Sequence, residues 1–288
     1  MISNPGMLFS IRGYLRISRP VNLVITAVSV FVAGVIATNY WMDFVDTLLL
    51  ASLSAALIAA GGNVLNDYCD RDLDRRQKPH RPIPSGHVTV KGALLWAWIC
   101  FTAGLIVALT LGKDMFIIAI SATVLLLLYN LYWKRVPLIG NLAVALTASL
   151  AFIYGGIAVR SISTALWVAC LAFLFHLGRE ITKDIEDQQG DAECRVQTLV
   201  VRYGLSAGQI AATIAFCLLI LYLPFPHLLG PFNAVYFYIT VFGILPVLIL
   251  AILWTWCWNS PRMMHKLNVI LKTDMILGLI ALLLGKSG

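Results

Sequence analysis

Charge is scarce in this sequence. Asp, Glu, Lys and Arg make up 12% of its 288 residues, about half the ~25% of a soluble domain. With 60% hydrophobic residues and a mean hydropathy of +0.85, that scarcity excludes an ordinary water-soluble core and points to a membrane. Apolar–polar alternation over stretches of about ten residues is missing too, which excludes a transmembrane barrel. Helices then remain, because hydrocarbon leaves no other way to satisfy the backbone. Cysteine pairs at metal spacing are also absent. Cys69, Cys100, Cys170, Cys194, Cys217 and Cys257 are scattered and show no CxxC, so they read as small apolar fillers without a disulfide framework.

What the chain does have is long apolar runs. Spanning a membrane core of ~30 Å takes about 20 such residues. Nine segments meet or approach that length: 20–39, 47–65, 92–112, 115–133, 138–159, 162–178, 205–225, 234–257 and 267–285. The sixth is short, and the ninth carries Lys272 and Asp274 near its start. The expected fold is all-α: a polytopic membrane protein with nine transmembrane helices, forming a single domain over residues 1–288. The first run is too long for a signal-peptide core and shows no cleavage site, so it is expected to stay in the mature protein. Before it, Ser10 to Arg19 mixes Arg12, Arg16 and Arg19 with Ile11, Leu15 and Ile17, which suits a segment lying at the interface. Small residues crowd the second span (Ala51, Ser52, Ser54, Ala55, Ala56, Ala59, Ala60) and predict close helix packing.

Cytoplasmic loops carry an excess of Lys and Arg. With the N-terminus inside, the inner segments hold 17 of these residues and the outer ones 3, with Lys272 left within the last span. The split places the N-terminus in the cytoplasm and the C-terminus outside a multi-pass cell-membrane protein. The net charge of +7 would hint at anionic partners in a soluble protein. Here it records topology, and no nucleic acid partner is expected.

The acids are concentrated. Of 14 acidic residues, ten lie in two segments: Asp67, Asp70, Asp72 and Asp74 after the second span, then Glu180, Asp184, Glu186, Asp187, Asp191 and Glu193 after the sixth. The charge count alone puts both on the cytoplasmic side, as site-forming loops at about 66–91 and 179–204. Asn63, Asp67, Asp70 and Asp74 are spaced 4, 3 and 4 apart, and Glu180, Asp184, Asp187 and Asp191 repeat the spacing. At about 100° per residue each set forms one narrow helical stripe. Asp72 and Glu186 fall outside the stripes and are expected to be dispensable. Gly190 could end the second helix early, which makes Asp191 the outermost candidate.

Stacked carboxylates repel each other and destabilise a bare helix. Divalent cations would neutralise them, and Mg²⁺ takes one or two carboxylates, waters and phosphate oxygens. Asp67, Asp70, Asp74, Asp184, Asp187 and Asp191 are therefore the candidate metal ligands, with Asp67, Asp70, Asp184 and Asp187 central to the chemistry. The bland reading is of solvated helix ends paired with Arg71, Arg75, Arg76 and Lys183; the duplicated spacing argues against it. Arg19, Arg71, Lys78, Arg81, Lys134 and Lys183 lie where phosphate oxygens would need them, with Lys134-Arg135 following Tyr129 and Tyr132. Lys78 to Gly86 packs three prolines and a glycine into nine residues, either a rigid lid over a polar site or a turn into the third span. His176 shares the second stripe and reads as a buried, satisfied histidine; His227 faces the other side.

Asn63 to Gly86 and the segment GREITKDIEDQQGD resemble the paired signatures of the UbiA-type intramembrane prenyltransferase superfamily, NDxxDxxxD (Asn66, Asp67, Asp70, Asp74) and DxxDxxxD (Asp184, Asp187, Asp191). The resemblance covers essentially the whole chain and implies a UbiA-like bundle. It also implies Mg²⁺ bridging the Asp clusters to a polyprenyl diphosphate whose tail lies in an apolar tunnel among membrane lipids. Residues matching Arg19, Tyr132 and Lys134 would help hold the diphosphate, and Asn63, Asn66 and Tyr129 are taken with them as substrate contacts. The RPIPSG loop and the second signature most resemble the archaeal-type ether-lipid subgroup. That implies a geranylgeranyl diphosphate donor and a lipid-soluble acceptor, the hydroxyl of geranylgeranylglyceryl phosphate. An aromatic quinone precursor such as 4-hydroxybenzoate is the alternative acceptor. A divalent-cation transporter is the rival outside enzymes, since intramembrane acids can mark an ion path. A path would place ionisable groups through several spans, and here both stripes open to one side.

Overall fold

The computed structural model describes residues 11–193 and 196–287; Ser10 and Cys194 lie outside the described residues. The five described cysteines are free. Nine helices among the described residues are long and apolar enough to cross a membrane. The chain is thus an all-α, polytopic membrane protein.

A short helix, α1 (Ile11–Ile17), buries Gly13 and Ile17 and leaves Ile11 and Leu15 exposed, as an interfacial segment requires. It turns into α2 (Pro20–Ala37) through Arg19, whose φ of 57° and ψ of 69° are left-handed. Proline at the next position disfavours the right-handed alternative, and a left-handed residue other than glycine costs about 1–3 kcal/mol.

The second span, α3 (Val45–Cys69), runs on from a short 3₁₀ turn and is 25 residues long. It breaks at Asp70 (φ −88°, ψ 2°) into α4 (Arg71–Gln77). The first acidic stripe therefore sits on two helices instead of one. The i, i+4 backbone bonds persist through the break, Asp70 N to Asn66 O at 2.9 Å and Asp74 N to Asp70 O at 2.8 Å, so the acids stay on one side. The small residues of α3 meet α5 (Val90–Leu111), where a Cβ on Gly104 would lie 2.9 Å from the Ser54 carbonyl. Ser54 Oγ donates to Gly104 O at 2.8 Å and accepts from Tyr154 Oη at 3.0 Å. Thr89 caps α5, its hydroxyl accepting from Gly92 N at 3.0 Å.

Two further spans follow, α6 (Lys113–Leu131) and α7 (Ile139–Ala158). The sixth span is where the sequence reading and the structure differ most. Instead of stopping near residue 178, α8 (Ile162–Glu193) is one helix of 32 residues. Its acids do not unwind it, because Arg179 and Lys183 pair with Glu180 and hydrogen bonds hold Asp184 and Glu186. Gly190 does not end it either. A Cβ there would press on Nε2 at the movable end of the Gln77 side chain, so the ends of α4 and α8 pack closely.

The rest of the chain forms α9 (Leu199–Tyr203), α10 (Leu205–Tyr222), α11 (Phe225–Leu228), α12 (Ala234–Ile239), α13 (Leu245–Cys257) and α14 (Pro261–Leu284). A π-helical stretch, Thr240–Ile244, joins α12 to α13. Pro246 lacks an N–H to return to the preceding turn, and the helix widens there. Two hydrophobic clusters hold the bundle. One is built on α3, α5 and their neighbours around Phe101, Leu48 and Val64, the other on α8, α10, α13 and α14 around Phe216, Leu248 and Leu271. The main cavity draws its walls from both.

Candidate active site

A cavity of about 640 Å³ is lined by residues of α2, α3, α4, α6, α7, α8 and α14. Asp70 and Asp74 reach its wall from one side and Asp184, Asp187 and Asp191 from the other. Apolar side chains also line it, among them Ile25, Ile58, Leu126, Val144 and Phe152.

Asp67 is not on that wall. It is buried at 4% exposure, where its Oδ1 takes the Arg19 guanidinium as an ion pair and accepts from Arg81 Nη1 at 3.3 Å. Arg81 also donates to Asp74 Oδ2 at 2.7 Å. Burial is the largest influence on Asp74 and raises its carboxyl above the ordinary range, against the lowering effect of Arg81. Arg81 is itself raised, the three carboxylates around it outweighing its burial. The proline-rich segment explains how Arg81 gets there. Ile83 and Val88 are buried, Ser85 Oγ donates to the Arg81 carbonyl at 2.7 Å, and the turn folds its arginine back onto the acids.

Asparagines fix the frame. Asn63 Nδ2 donates to Ser18 O at 3.0 Å. Asn66 accepts from Arg19 Nη2 at 3.1 Å and donates to Asn130 Oδ1 at 3.1 Å. Asn141 Nδ2 donates to Asp184 Oδ2 at 2.9 Å. Asn130 and Asn141 escaped the sequence reading, although each is a lone amide in an apolar run, the usual mark of a buried polar contact.

Lys134 pairs with Asp70. Lys78, just past α4, places its Nζ 4.0 Å from Asp187 Oδ1 in the second acidic set. Lys183 and Arg179 hold Glu180 at 2.8 and 3.3 Å, which takes Glu180 out of the group of free acids. Asp184 and Asp191 differ from the rest: among the described residues no Lys or Arg pairs with either. Tyr129 and His176 line the cavity. Tyr132 is 65% exposed and off its wall. Arg71 also points away, lying 4.9 Å from the Tyr68 ring centroid and 3.9 Å from Asp72. Among the described residues no three His, Cys, Asp or Glu side chains form a ready-made metal cage. The donors that do converge are carboxylate oxygens on two facing walls, which suits a hard ion completed by waters and phosphate oxygens.

Glu186, off the stripe, is engaged elsewhere. Its Oε2 accepts from Asn268 Nδ2 at 2.7 Å and its Oε1 lies 2.8 Å from His265 Nδ1. Asp72 is solvent-exposed and pairs with Arg75 at 3.2 Å.

Fold and site together define a membrane-embedded enzyme with a carboxylate- and cation-lined mouth over an apolar chamber. Residues 24–268 match the UbiA prenyltransferase family, and the chain belongs to that family and is a prenyltransferase. It is 35% identical over 273 residues to a digeranylgeranylglyceryl phosphate synthase from Methanopyrus kandleri, covering 94% of this chain and 98% of that protein. A solved structure of digeranylgeranylglyceryl phosphate synthase in membranes matches with a TM-score of 0.79 and 28% identity, over 96% of this chain and 98% of that one. A UbiA homologue from Archaeoglobus fulgidus, solved with DMAPP and Mg²⁺, matches with a TM-score of 0.62 and 18% identity over 93% of this chain and 98% of that one; this last likeness speaks to the fold alone.

Proposed function

We propose that this chain transfers a geranylgeranyl group from its diphosphate to the free hydroxyl of geranylgeranylglyceryl phosphate, with Mg²⁺, at a site facing the cytoplasm. The observation that carries the reading is the cavity mouth. Asp184 and Asp191 stand there without a cation, across from the Asp70–Lys134 and Asp74–Arg81 pairs. Asp70, Asp74, Asp184, Asp187 and Asp191 would hold Mg²⁺ here, which would supply charge neutralisation for a departing diphosphate.

The chain's own residues do the rest. Arg19, Lys78 and Lys134 present guanidinium and ammonium groups to phosphate oxygens, and their pairing with Asp67, Asp187 and Asp70 holds them in position beforehand. Asn141 orients Asp184. The apolar lining takes the prenyl chain and keeps water from the allylic carbon. In the reaction the allylic C–O bond breaks and its electron pair leaves with the diphosphate. The acceptor oxygen forms the new ether bond and releases its proton.

The acceptor assignment draws support from the likeness to digeranylgeranylglyceryl phosphate synthases over nearly the full chain. The cytoplasmic placement draws support from the 17-to-3 division of Lys and Arg. The test offers purified protein labelled geranylgeranyl diphosphate, Mg²⁺ and two competing acceptors, geranylgeranylglyceryl phosphate and 4-hydroxybenzoate. Label in a diether lipid is expected. Label in the aromatic product would overturn the acceptor, and transfer to neither would overturn the donor–acceptor pair.

A further inference from the structure

Seven Lys and Arg side chains line the main cavity, and six of them have a carboxylate within 4.0 Å. Lys272 is the exception. It lies inside the last span, and among the described residues it has neither an ion pair nor a hydrogen-bond partner. An unpaired cation within a span is costly, and where it faces a cavity it marks a path for a ligand.

The contacts between α8 and α14 place it. His265 meets Glu186 at 2.8 Å, and Asn268 Oδ1 accepts from Thr182 Oγ1 at 2.9 Å, so the two helices run antiparallel with Asn268 level with Thr182. One turn deeper brings Lys272 level with Arg179. Arg179 also lines the cavity. Its Nη1 reaches Glu180 at 3.3 Å, while its Nε is buried with no acceptor. At about 100° per residue, Thr182 and Glu186 face α14, Asp184, Asp187 and Asp191 lie roughly opposite, and Arg179 falls between the two faces. Counting Lys183, this flank holds three cations, of which Arg179 and Lys183 share the one carboxylate of Glu180 and Asp184 is the next acid along the helix. It is a patch of net positive charge, apart from the first acidic cluster.

We propose that Lys272 and Arg179 form a second anion subsite in the cavity that takes the phosphate monoester of the lipid acceptor. The assignment rests on the phosphate-bearing acceptor proposed above. A phosphate dianion matches both groups, the guanidinium through two parallel N–H donors and the ammonium as a point charge. The donor's diphosphate is left to the Asp-rich rim, so each substrate's anionic head has its own site and the two apolar chains share the depth.

The test is equilibrium binding of geranylgeranylglyceryl phosphate, and of its uncharged analogue geranylgeranylglycerol, to full-length protein in detergent with EDTA. The native protein is expected to prefer the phosphate form by about tenfold or more, as charge-assisted hydrogen bonds imply. Lys272→Met should remove most of that preference and leave affinity for the uncharged analogue unchanged. Lys272→Arg should retain it, and Arg179→Gln should lower it. A preference that survives Lys272→Met intact would overturn the proposal. So would equal losses for both ligands, which would signal a packing defect, or a native protein that binds both alike. Failure of the acceptor reading shows separately, as native protein that makes no diether with Mg²⁺ and donor. Failure of the subsite alone leaves diether formation in place, with the same acceptor KM in native protein and Lys272→Met.

Discussion

Replacing Arg81 with Met keeps most of the side-chain volume and removes the guanidinium that Asp67 and Asp74 share. Asp67 retains Arg19, whereas Asp74, its side chain 4% exposed, has no other ion pair among the described residues. Breaking a buried pair from one side costs about 3–5 kcal/mol. Arg81 is 24% exposed, so the lower end, about 3 kcal/mol, is expected. At about 2–4 °C per kcal/mol, the unfolding midpoint should fall by roughly 6–12 °C. The loss should depend on pH. Burial raises the Asp74 carboxyl and Arg81 opposes it, so without Arg81 the carboxyl rises further. A carboxyl raised by folding stabilises most below its unfolded pKa, and that contribution is lost as pH climbs toward the folded value. Thermal unfolding in detergent and EDTA at about pH 5 and about pH 7.5 should therefore show the larger deficit at the higher pH, with Arg81→Lys intermediate. An equal deficit at both would refute the role given to Asp74, and no deficit would refute the shared-guanidinium network itself.

Asp72→Ala should leave activity intact and change stability by less than about 0.5 kcal/mol, because its pair is exposed; an activity loss above tenfold would place Asp72 at the site after all. Glu186→Ala, by contrast, takes the 2.7 Å acceptor from the Asn268 amide and leaves it the Thr182 carbonyl at 3.5 Å; it should cost about 1 kcal/mol, read as a lower unfolding midpoint. Tyr154→Phe removes one hydrogen bond while Ser54 keeps its bond to Gly104, so a loss of about 0.5–1.5 kcal/mol is expected, read as a lower unfolding midpoint. Asp274 is buried with both carboxyl oxygens unpartnered, and Asp274→Leu should raise the unfolding midpoint; a lower midpoint would mean that this carboxyl stabilises the fold.

The sequence made the spans legible because each apolar run is long enough to cross and charge divides so unevenly around them. It also carried the acids to one cavity, since a 4, 3, 4 spacing needs only helical geometry to form a stripe. The stripe said nothing of depth, and Asp67 lies behind the wall while Asp70 and Asp74 reach it. Nor could it show which cation meets which acid. Arg19 arrives by a left-handed corner and Arg81 by a proline-rich turn, and both pairings cross a span or a loop that spacing does not measure. Glu186 falls off the stripe, and the last span, which no local pattern ties to the second signature, is where it is held. The 4, 3, 4 spacing made the second signature legible as a helical stripe; that the stripe continues the sixth span without a break, past Gly190 to Glu193, depends on pairing that the sequence does not display.

The measurement that bears most directly on the account is diphosphate release from geranylgeranyl diphosphate, with acceptor present, as Mg²⁺ is titrated into purified native protein and into the Asp70→Ala and Asp187→Ala variants. Release that rises with Mg²⁺ in the native protein, vanishes with EDTA and falls at least about a hundredfold in each variant, the loss of ~2.7 kcal/mol of transition-state stabilisation, is the expected result. Release that persists in EDTA or in both variants would contradict the claim that two facing carboxylate walls and a divalent cation carry the reaction.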